Sequence, residues 1–534
     1  MNLDSSKAAE KLIQARGNQS EITWSPDGSK IAFVSNRNDH GFIGIYNAID
    51  SSVSYPDASV DLDTNPIWSL DGKWIAFIRT PNNSARLPFT EKREGYPWFI
   101  RLVNYENNTA KELWKAPVGT GSVLFPELPV SDNLLLWGSN DQLIFPCEKD
   151  GWIHLYSINI KNPGAPKLLT PGDGEVENVV INADKNELIY TTNVGDSHRR
   201  HIWKKNLNDG NLVQLSKGTG IEYSPALTNN GIAILRSTAT APAWPNILKE
   251  DGSMTKIGIE LFPSSFPESS LVIPSDVTFK AKDGMQVHGQ LFLPRGYQPG
   301  KKYPALLFIH GGSRRQMLLG FHYMDYYSHD YAMNQFNACH GYIVLSVNYR
   351  SGIGYGLNFR EALHYGAHGG SEYNDILGAG LYLKNREDVN PKQIGLWGGS
   401  YGGYLTAMGL ANNSDIFACG VDIHGVHNWS EELKNWVADY DPTTRAEFAK
   451  IAVASSPVHF LKGWRSPVLF IHGDDDRNVP FNQTVNLIEK LRAQHVYFEQ
   501  LIFPDEVHSF LLHSNWLKAY HASSEFFARK LLNR

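Results

Sequence analysis

Apolar residues in the first half of the chain come in short runs, each fed by a polar turn. In Trp24-Ser25-Pro26-Asp27-Gly28-Ser29-Lys30-Ile31-Ala32-Phe33, a tight Asp-Gly turn leads into an apolar strand. The same pattern returns 44 positions on as Trp68-Ser69-Leu70-Asp71-Gly72-Lys73-Trp74-Ile75-Ala76-Phe77. Weaker echoes begin at Ser139, Asn182 and Thr228. The spacing is about 45 residues, apart from one longer interval that holds a proline- and charge-rich insert, Pro88 to Pro97. Repeats of about 40–50 residues with several short strands each predict the blades of a β-propeller. Five fit between about residues 15 and 262. The frequent Asp-Gly turns and β-rich runs exclude a heptad or helical repeat.

The pattern changes after a Pro/Ser-rich stretch, Phe262 to Ser270, which reads as a linker. Apolar strands at Ala305–Ile309, Tyr342–Val347, Ile394–Trp397 and Val468–Ile471 then alternate with helical stretches such as Tyr373–Leu383 and Val485–Leu491. Such alternation predicts a mostly parallel sheet wrapped by helices. The expected organisation is a propeller over residues 1–265 followed by an α/β domain over residues 266–534.

One stretch of the second domain, Ile394-Gly395-Leu396-Trp397-Gly398-Gly399-Ser400-Tyr401-Gly402-Gly403-Tyr404, crowds glycines around a serine directly after an apolar run. Glycine loses more backbone freedom on folding than any other residue, so the cluster needs a reason. Gly398 to Gly402 matches G-x-S-x-G, the strand-turn-helix elbow of α/β-hydrolases. After Tyr401 the spacing predicts a helix packed on one face, its N-terminus aimed where negative charge would develop. A serine hydroxyl needs a base, and the base an orienting acid, in the chain order Ser, Asp/Glu, His. The strand Val468–Ile471 runs into three aspartates, Asp474, Asp475 and Asp476, any of which could be the acid. The strand Val496–Phe503 leads to His508, the candidate base.

Composition narrows the partners. The 534 residues, 42% hydrophobic and 19% charged, suit a globular protein with sizeable cores. A formal charge of −6 gives no electrostatic case for nucleic acid or an anionic membrane. Cys147, Cys339 and Cys419 lie far apart, so reduced thiols are expected and neither a disulfide framework nor a metal-type spacing is present. Two histidine groupings, His364 with His368, and His322 with His329 around Asp325, lack the H-E-x-x-H pattern, and no metal is expected. The opening MNLDSSKAAEKLIQ lacks the apolar core of a signal peptide. A cytoplasmic protein is expected from the chain as it stands, and a periplasmic or secreted one if a further N-terminal segment exists.

The motifs H-G-D-D-D-R-N-V-P, F-P-D-E-V-H-S-F and G-G-S-Y-G-G-Y, behind propeller repeats, resemble the prolyl oligopeptidase family of serine peptidases along nearly the whole chain. In that family the acid precedes an R/D-N/R-V segment, which implies Asp476, with Ser400 as nucleophile and His508 as base. The oxyanion donors implied are the backbone N–H of Tyr401 and, by similarity to acylaminoacyl peptidases, that of Gly312 in His310-Gly311-Gly312. Ser313 stands where that branch usually has proline, and His310 is read as structural. Likeness to dipeptidyl peptidases implies Val426, Trp429, Val479 and Tyr401 as walls of the pocket for the residue before the cut, with Asn478 donating to a substrate carbonyl. Such a pocket favours proline, alanine or a medium apolar side chain. Glu432 falls where tyrosine is common, and the paired glutamates that capture a free amino terminus have no clear counterpart, Glu91 and Glu94 being the nearest. The resemblance implies an exopeptidase releasing acylated residues or dipeptides from short peptides, with no cofactor. The alternatives are an esterase with the same triad, or a propeller binding protein with an inactive hydrolase domain. Self-association is left open. Family propellers have seven or eight blades, so five implies an incomplete propeller and a missing N-terminal part.

Overall fold

The computed structural model describes residues 11–82, 89–93, 98–119, 124, 134–437 and 440–532. Its first half consists of four-stranded antiparallel units. They span Asn18–Trp24 to Val53–Ser54, Leu62–Trp68 to Thr109–Lys115, Leu136–Gly138 to Lys167–Leu168, Val176–Ile181 to Leu212–Gln214, and Ile221–Thr228 to Met254–Lys256. These are the five blades expected from the repeats. The first two are joined by a single parallel pairing, Gly41 with Leu62.

The repeated sequences fold alike because the same atoms close the same turn. Ser25 Oγ donates to Asp27 at 2.6 Å and accepts from the Lys30 N–H at 2.9 Å. Ser69 does the same with Asp71 and Trp74, at 2.6 and 2.9 Å. Gly28 and Gly72 take φ 69° and 71°, the left-handed region glycine enters without steric cost. The blades stack through apolar faces, and tryptophans add a repeated tie: Trp68 Nε1 donates to the Thr23 carbonyl one blade back, and Trp137 Nε1 to Ile67.

The second half is an eight-stranded sheet: β1 (Ser275–Lys280), β2 (Gln286–Phe292), β3 (Tyr303–Ile309), β4 (Ile343–Asn348), β5 (Val389–Gly399), β6 (Cys419–Ile423), β7 (Val468–Gly473) and β8 (Phe498–Phe503). The order is β1-β2-β4-β3-β5-β6-β7-β8, parallel from β4 onward and antiparallel at β1-β2 and β2-β4. The parallel strands β3, β4, β6 and β7 are buried along their length, as a sheet covered on both faces requires, while edge strand β8 is only partly so. Two apolar cores lie on its two sides.

The helices of this half include α1 (Asp325–Cys339), α2 (Tyr373–Lys384), α3 (Tyr401–Asn412), α4 (Trp429–Trp436), α5 (Asn482–Ala493) and α6 (His513–Leu531). The spacing after Tyr401 predicts one buried face for α3, yet residues 401–411 are buried all round. The helix is wedged between β5, β6 and α2, and its glycines permit that: a Cβ at Gly409 would press on Leu396, and one at Gly403 on Gly425. Among the described residues, no helix is long and apolar enough to cross a membrane.

The halves meet through buried polar contacts. Arg360 makes a two-pronged ion pair with Glu148 of the third blade at 2.6 and 2.7 Å. Arg200 of the fourth blade joins Glu177 at 2.8 Å and Gln316 at 2.7 Å. Paired, hydrogen-bonded charges tolerate burial where isolated ones do not.

Candidate active site

Strand β5 ends at Gly399 and α3 starts at Tyr401, leaving Ser400 alone in the turn with φ 57° and ψ −117°. A non-glycine residue persists in such a conformation only where its surroundings over-determine it. Here they do. The Ser400 N–H donates to the Ile423 carbonyl at 2.8 Å, its own carbonyl accepts from Tyr404 at 3.0 Å, and Cβ atoms at Gly398 or Gly402 would both strike the Ile309 carbonyl. Strand, helix and β3 approach so closely that only glycine fits. Gly402→Ala is accordingly expected to destabilise the domain by about 1–3 kcal/mol, as overpacking does, measurable by chemical denaturation.

The loop after β3 lies against this turn. A Cβ on Gly311 would come 3.3 Å from Ser400 Cβ and 2.9 Å from the Gly399 carbonyl. Gly312 follows at φ 38°. His310 is fully buried, stacked on Tyr349 with ring centres 4.2 Å apart, its Nδ1 2.9 Å from the Gly311 carbonyl. Burial lowers its pKa to about 4, so it serves as a neutral brace for the loop.

The three aspartates after β7 separate cleanly. Asp474 is exposed and accepts from the Asp505 N–H at 2.7 Å, and exposed Asp475 pairs with Arg477. Asp476 is buried. Its Oδ1 accepts the N–H groups of Asn478 and Val479, both at 2.9 Å, and its Oδ2 lies 2.6 Å from His508 Nδ1 and 3.1 Å from His472 Nε2. Burial alone would raise this carboxyl, but the hydrogen bonds from His472 and His508 outweigh it and hold the pKa far below the usual carboxylate range. His472 Nδ1 faces the Thr484 hydroxyl at 2.8 Å, a second contact that fixes the plane of the ring beside Asp476. His508 is half-buried on the loop after β8. Glu506 anchors that loop by accepting from the Leu511 and Leu512 N–H groups and Asn515.

A third histidine sits in the group. His424, on the loop after β6, has its ring centre 4.2 Å from that of His508, and its Nε2 is hydrogen-bonded to the Tyr326 hydroxyl at 2.9 Å. Burial holds its pKa well below the usual histidine value. The pair also explains Gly399, where a Cβ would strike Tyr326 and come 3.2 Å from His424 Nε2. Neither residue is flagged by the sequence motifs, although position just beyond a parallel strand's C-terminal end is where sites gather in open α/β sheets. A second histidine–aspartate pair, His427 with Asp422 at 2.7 Å, is fully buried, and its other ring nitrogen faces the Gln483 carbonyl, so it braces the loop.

Val426, Trp429, Val479 and Tyr401 are all buried in one apolar core cluster of the hydrolase domain. Tyr401 and Trp429 have ring centres 5.6 Å apart, and the Tyr401 hydroxyl donates to buried Glu372 at 2.5 Å. Asn478 keeps an exposed side chain while its carbonyl accepts from Trp436 Nε1 at 3.1 Å. Trp436, 5.8 Å from Trp429, and Phe89, 4.7 Å from it, complete the aromatic group. Both escape the sequence reading. Phe89 belongs to the propeller insert, of which Pro88 and residues 94–97, Glu94 included, lie outside the described residues. His322 is spent on backbone contacts with Gln316 and Met324, and His368 packs on Phe448.

Glu432 lies within α4, wholly buried, with Gln483 Nε2 at 3.0 Å. Burial, reinforced by the Asp476 charge, pushes it up to about 8. The folded protein therefore binds the proton that the unfolded chain releases near pH ~4.3, and stability falls as pH rises from there toward about 8. Glu432→Gln is expected to remove this loss, its melting temperature gaining on the parent between about pH 5 and pH 8 in a calorimetric series.

Residues 328–534 match the prolyl oligopeptidase family, and residues 123–243 the dipeptidyl peptidase IV N-terminal region. Dipeptidyl-peptidase 5 of Porphyromonas gingivalis is 24% identical over 519 residues, covering 93% of this chain and 65% of that protein. Dipeptidyl aminopeptidase BIII of Pseudoxanthomonas mexicana is 31% identical over 274 residues, 48% of this chain and 38% of that one. The chain thus spans under two thirds of the length of these curated relatives. A puromycin-hydrolysing peptidase of Mycobacterium tuberculosis shares the fold at a TM-score of 0.77 and 18% identity, over 96% of this chain and 78% of its own. The elbow and strands β4 to β8 of the hydrolase sheet lie in the part of the chain that matches the prolyl oligopeptidase family, and the third and fourth propeller units in the part that matches the dipeptidyl peptidase IV N-terminal region.

Proposed function

We propose that the protein is a serine peptidase acting as an exopeptidase on short peptides. The observation that carries this reading is the 2.6 Å hydrogen bond from His508 Nδ1 to a buried, ionised Asp476, on loops that border the strained Ser400 turn. A carboxylate in that position fixes the tautomer of His508 so that Nε2 is free to accept a proton. Ser400 Oγ attacks the substrate carbonyl carbon and its proton passes to His508 Nε2. The oxyanion is held by the N–H groups of Tyr401, at the start of α3, and of Gly312, where the helix dipole adds its field. Collapse expels the amine with the proton from His508, and water repeats the sequence to free the acid. The side chain before the cut enters the pocket of Tyr401, Val426, Trp429 and Val479, while Asn478 donates to a substrate carbonyl. Relatives named dipeptidyl peptidases support release of dipeptides over internal cleavage.

The test compares alanyl and prolyl p-nitroanilides, free or acetylated at the amino terminus, with a p-nitrophenyl ester. Amide cleavage is expected, and the preferred terminus assigns the branch. Ester cleavage alone would replace the peptidase reading with an esterase.

A further inference from the structure

The residues read above as the side-chain pocket beside Ser400 are joined by one that the hydrolase domain does not supply. Phe89, carried on the insert of the second blade, reaches them from the propeller. Its ring centre lies 4.7 Å from Trp429, 5.6 Å from Tyr365, 5.9 Å from Trp436 and 6.4 Å from Tyr401. Two of these, Tyr401 and Trp429, are walls of the side-chain pocket in the reading proposed above.

Three independent features mark this contact as built. The hydrolase domain has cleared space for the ring: a Cβ at Gly366 would strike Phe89, and Gly366 itself takes φ 54°. The seat is tied to the pocket wall, because buried Glu372 accepts the Gly366 N–H at 3.1 Å and the Tyr401 hydroxyl at 2.5 Å. Finally, Phe89 stands at φ 62°, a left-handed conformation that a bulky residue keeps only where its surroundings hold it. The residues after it supply the hold. Lys92 N–H donates to Glu361 at 2.7 Å, Arg93 Nη2 to the Asn358 carbonyl at 3.0 Å, and the Thr90 hydroxyl faces His368 Nε2 at 3.5 Å.

We propose that Phe89 is a specificity-determining residue contributed by the propeller: its ring takes up the far part of the side-chain pocket, so that the residue before the cut is restricted to a small one, alanine or glycine, and bulky aromatic residues are excluded. This rests on the serine-peptidase reading and narrows its substrate class. The Phe89 ring occupies the space beside Tyr401, Trp429 and Trp436 that a phenylalanyl side chain would need, and removing it frees that space. A pocket discriminates by the space it denies as much as by the contacts it offers.

The experiment measures second-order rates of Ser400 phosphonylation by diphenyl aminoalkylphosphonates bearing an alanyl or a phenylalanyl side chain. Each rate is normalised to that of a small ethyl fluorophosphonate on the same protein, and labelling is located by mass spectrometry. The full chain, Phe89→Ala and Phe89→Leu are compared, with thermal unfolding of each. The parent is expected to favour the alanyl reagent. Phe89→Ala should raise the phenylalanyl-to-alanyl ratio by at least about tenfold, the scale on which pocket volume discriminates, with Phe89→Leu in between. An unchanged ratio in both folded variants overturns the proposal, as does equal slowing of both reagents, which would make Phe89 a structural brace only. If the fluorophosphonate fails to label Ser400 even in the parent, the peptidase reading falls and this inference with it.

Discussion

Ser400→Ala is expected to lower the turnover of a peptide anilide on the order of 10⁶-fold while leaving circular dichroism and melting temperature close to those of the parent. The size of the effect follows from the role of the hydroxyl: without it there is no acyl-enzyme, and only bound water can attack. What survives is the contribution of the oxyanion donors and of binding, about 10³–10⁴ over the uncatalysed reaction. The fold should tolerate the change because, among the described residues, no hydrogen bond from the Ser400 hydroxyl holds the turn. The backbone of Ser400 is fixed by the Ile423 carbonyl and the Tyr404 N–H, and by Gly398 and Gly402 packed on Ile309. Single-turnover assays with the limit of contaminating activity stated would check the figure. A variant within tenfold of the parent would place the nucleophile elsewhere.

Asp476→Asn is expected to cost about 10⁴-fold in kcat with little change in KM. An asparagine can still accept the Asn478 and Val479 N–H groups through its one oxygen, since both converge on Oδ1. Its amide nitrogen then faces His508 Nδ1 and His472 Nε2, two positions that now donate. His508 can meet that amide only by shifting its proton to Nε2, where it can no longer accept from Ser400. His472, already bonded to the Val479 carbonyl at 3.0 Å, loses one of two acceptors, so a modest fall in melting temperature should accompany the loss of rate. Asp475→Asn, exposed and ion-paired with Arg477, should leave the rate as it was.

The repeat reading worked because the blades reuse one chemical device. A serine, an aspartate two positions on and a glycine after it close each of the two strongest turns with matching distances, so near-identity of sequence carried identity of geometry. The elbow was legible for a similar reason: glycines are a steric record, and each one in it corresponds to a backbone or side chain too close for a Cβ. Choosing Asp476 from three neighbours needed the family resemblance, since composition treats the three alike, and burial with two imidazole contacts is what separates them in the fold. The parts of the site that stayed hidden are those assembled across long stretches of chain. Tyr326 meets His424 from 98 positions away, and Lys92 meets Glu361 from 269. No local pattern encodes such meetings. The helix after Ser400 shows the same limit: its spacing predicts one buried face, and packing on every side is a tertiary fact.

The most direct test of the serine-peptidase account is stoichiometric labelling by a fluorophosphonate, followed by peptide mapping and by assay of a peptide anilide on the labelled protein. The account predicts one modification per chain, on Ser400, with anilide turnover lost in proportion to it. Modification of another residue, or anilide turnover that persists after Ser400 is fully labelled, would contradict it.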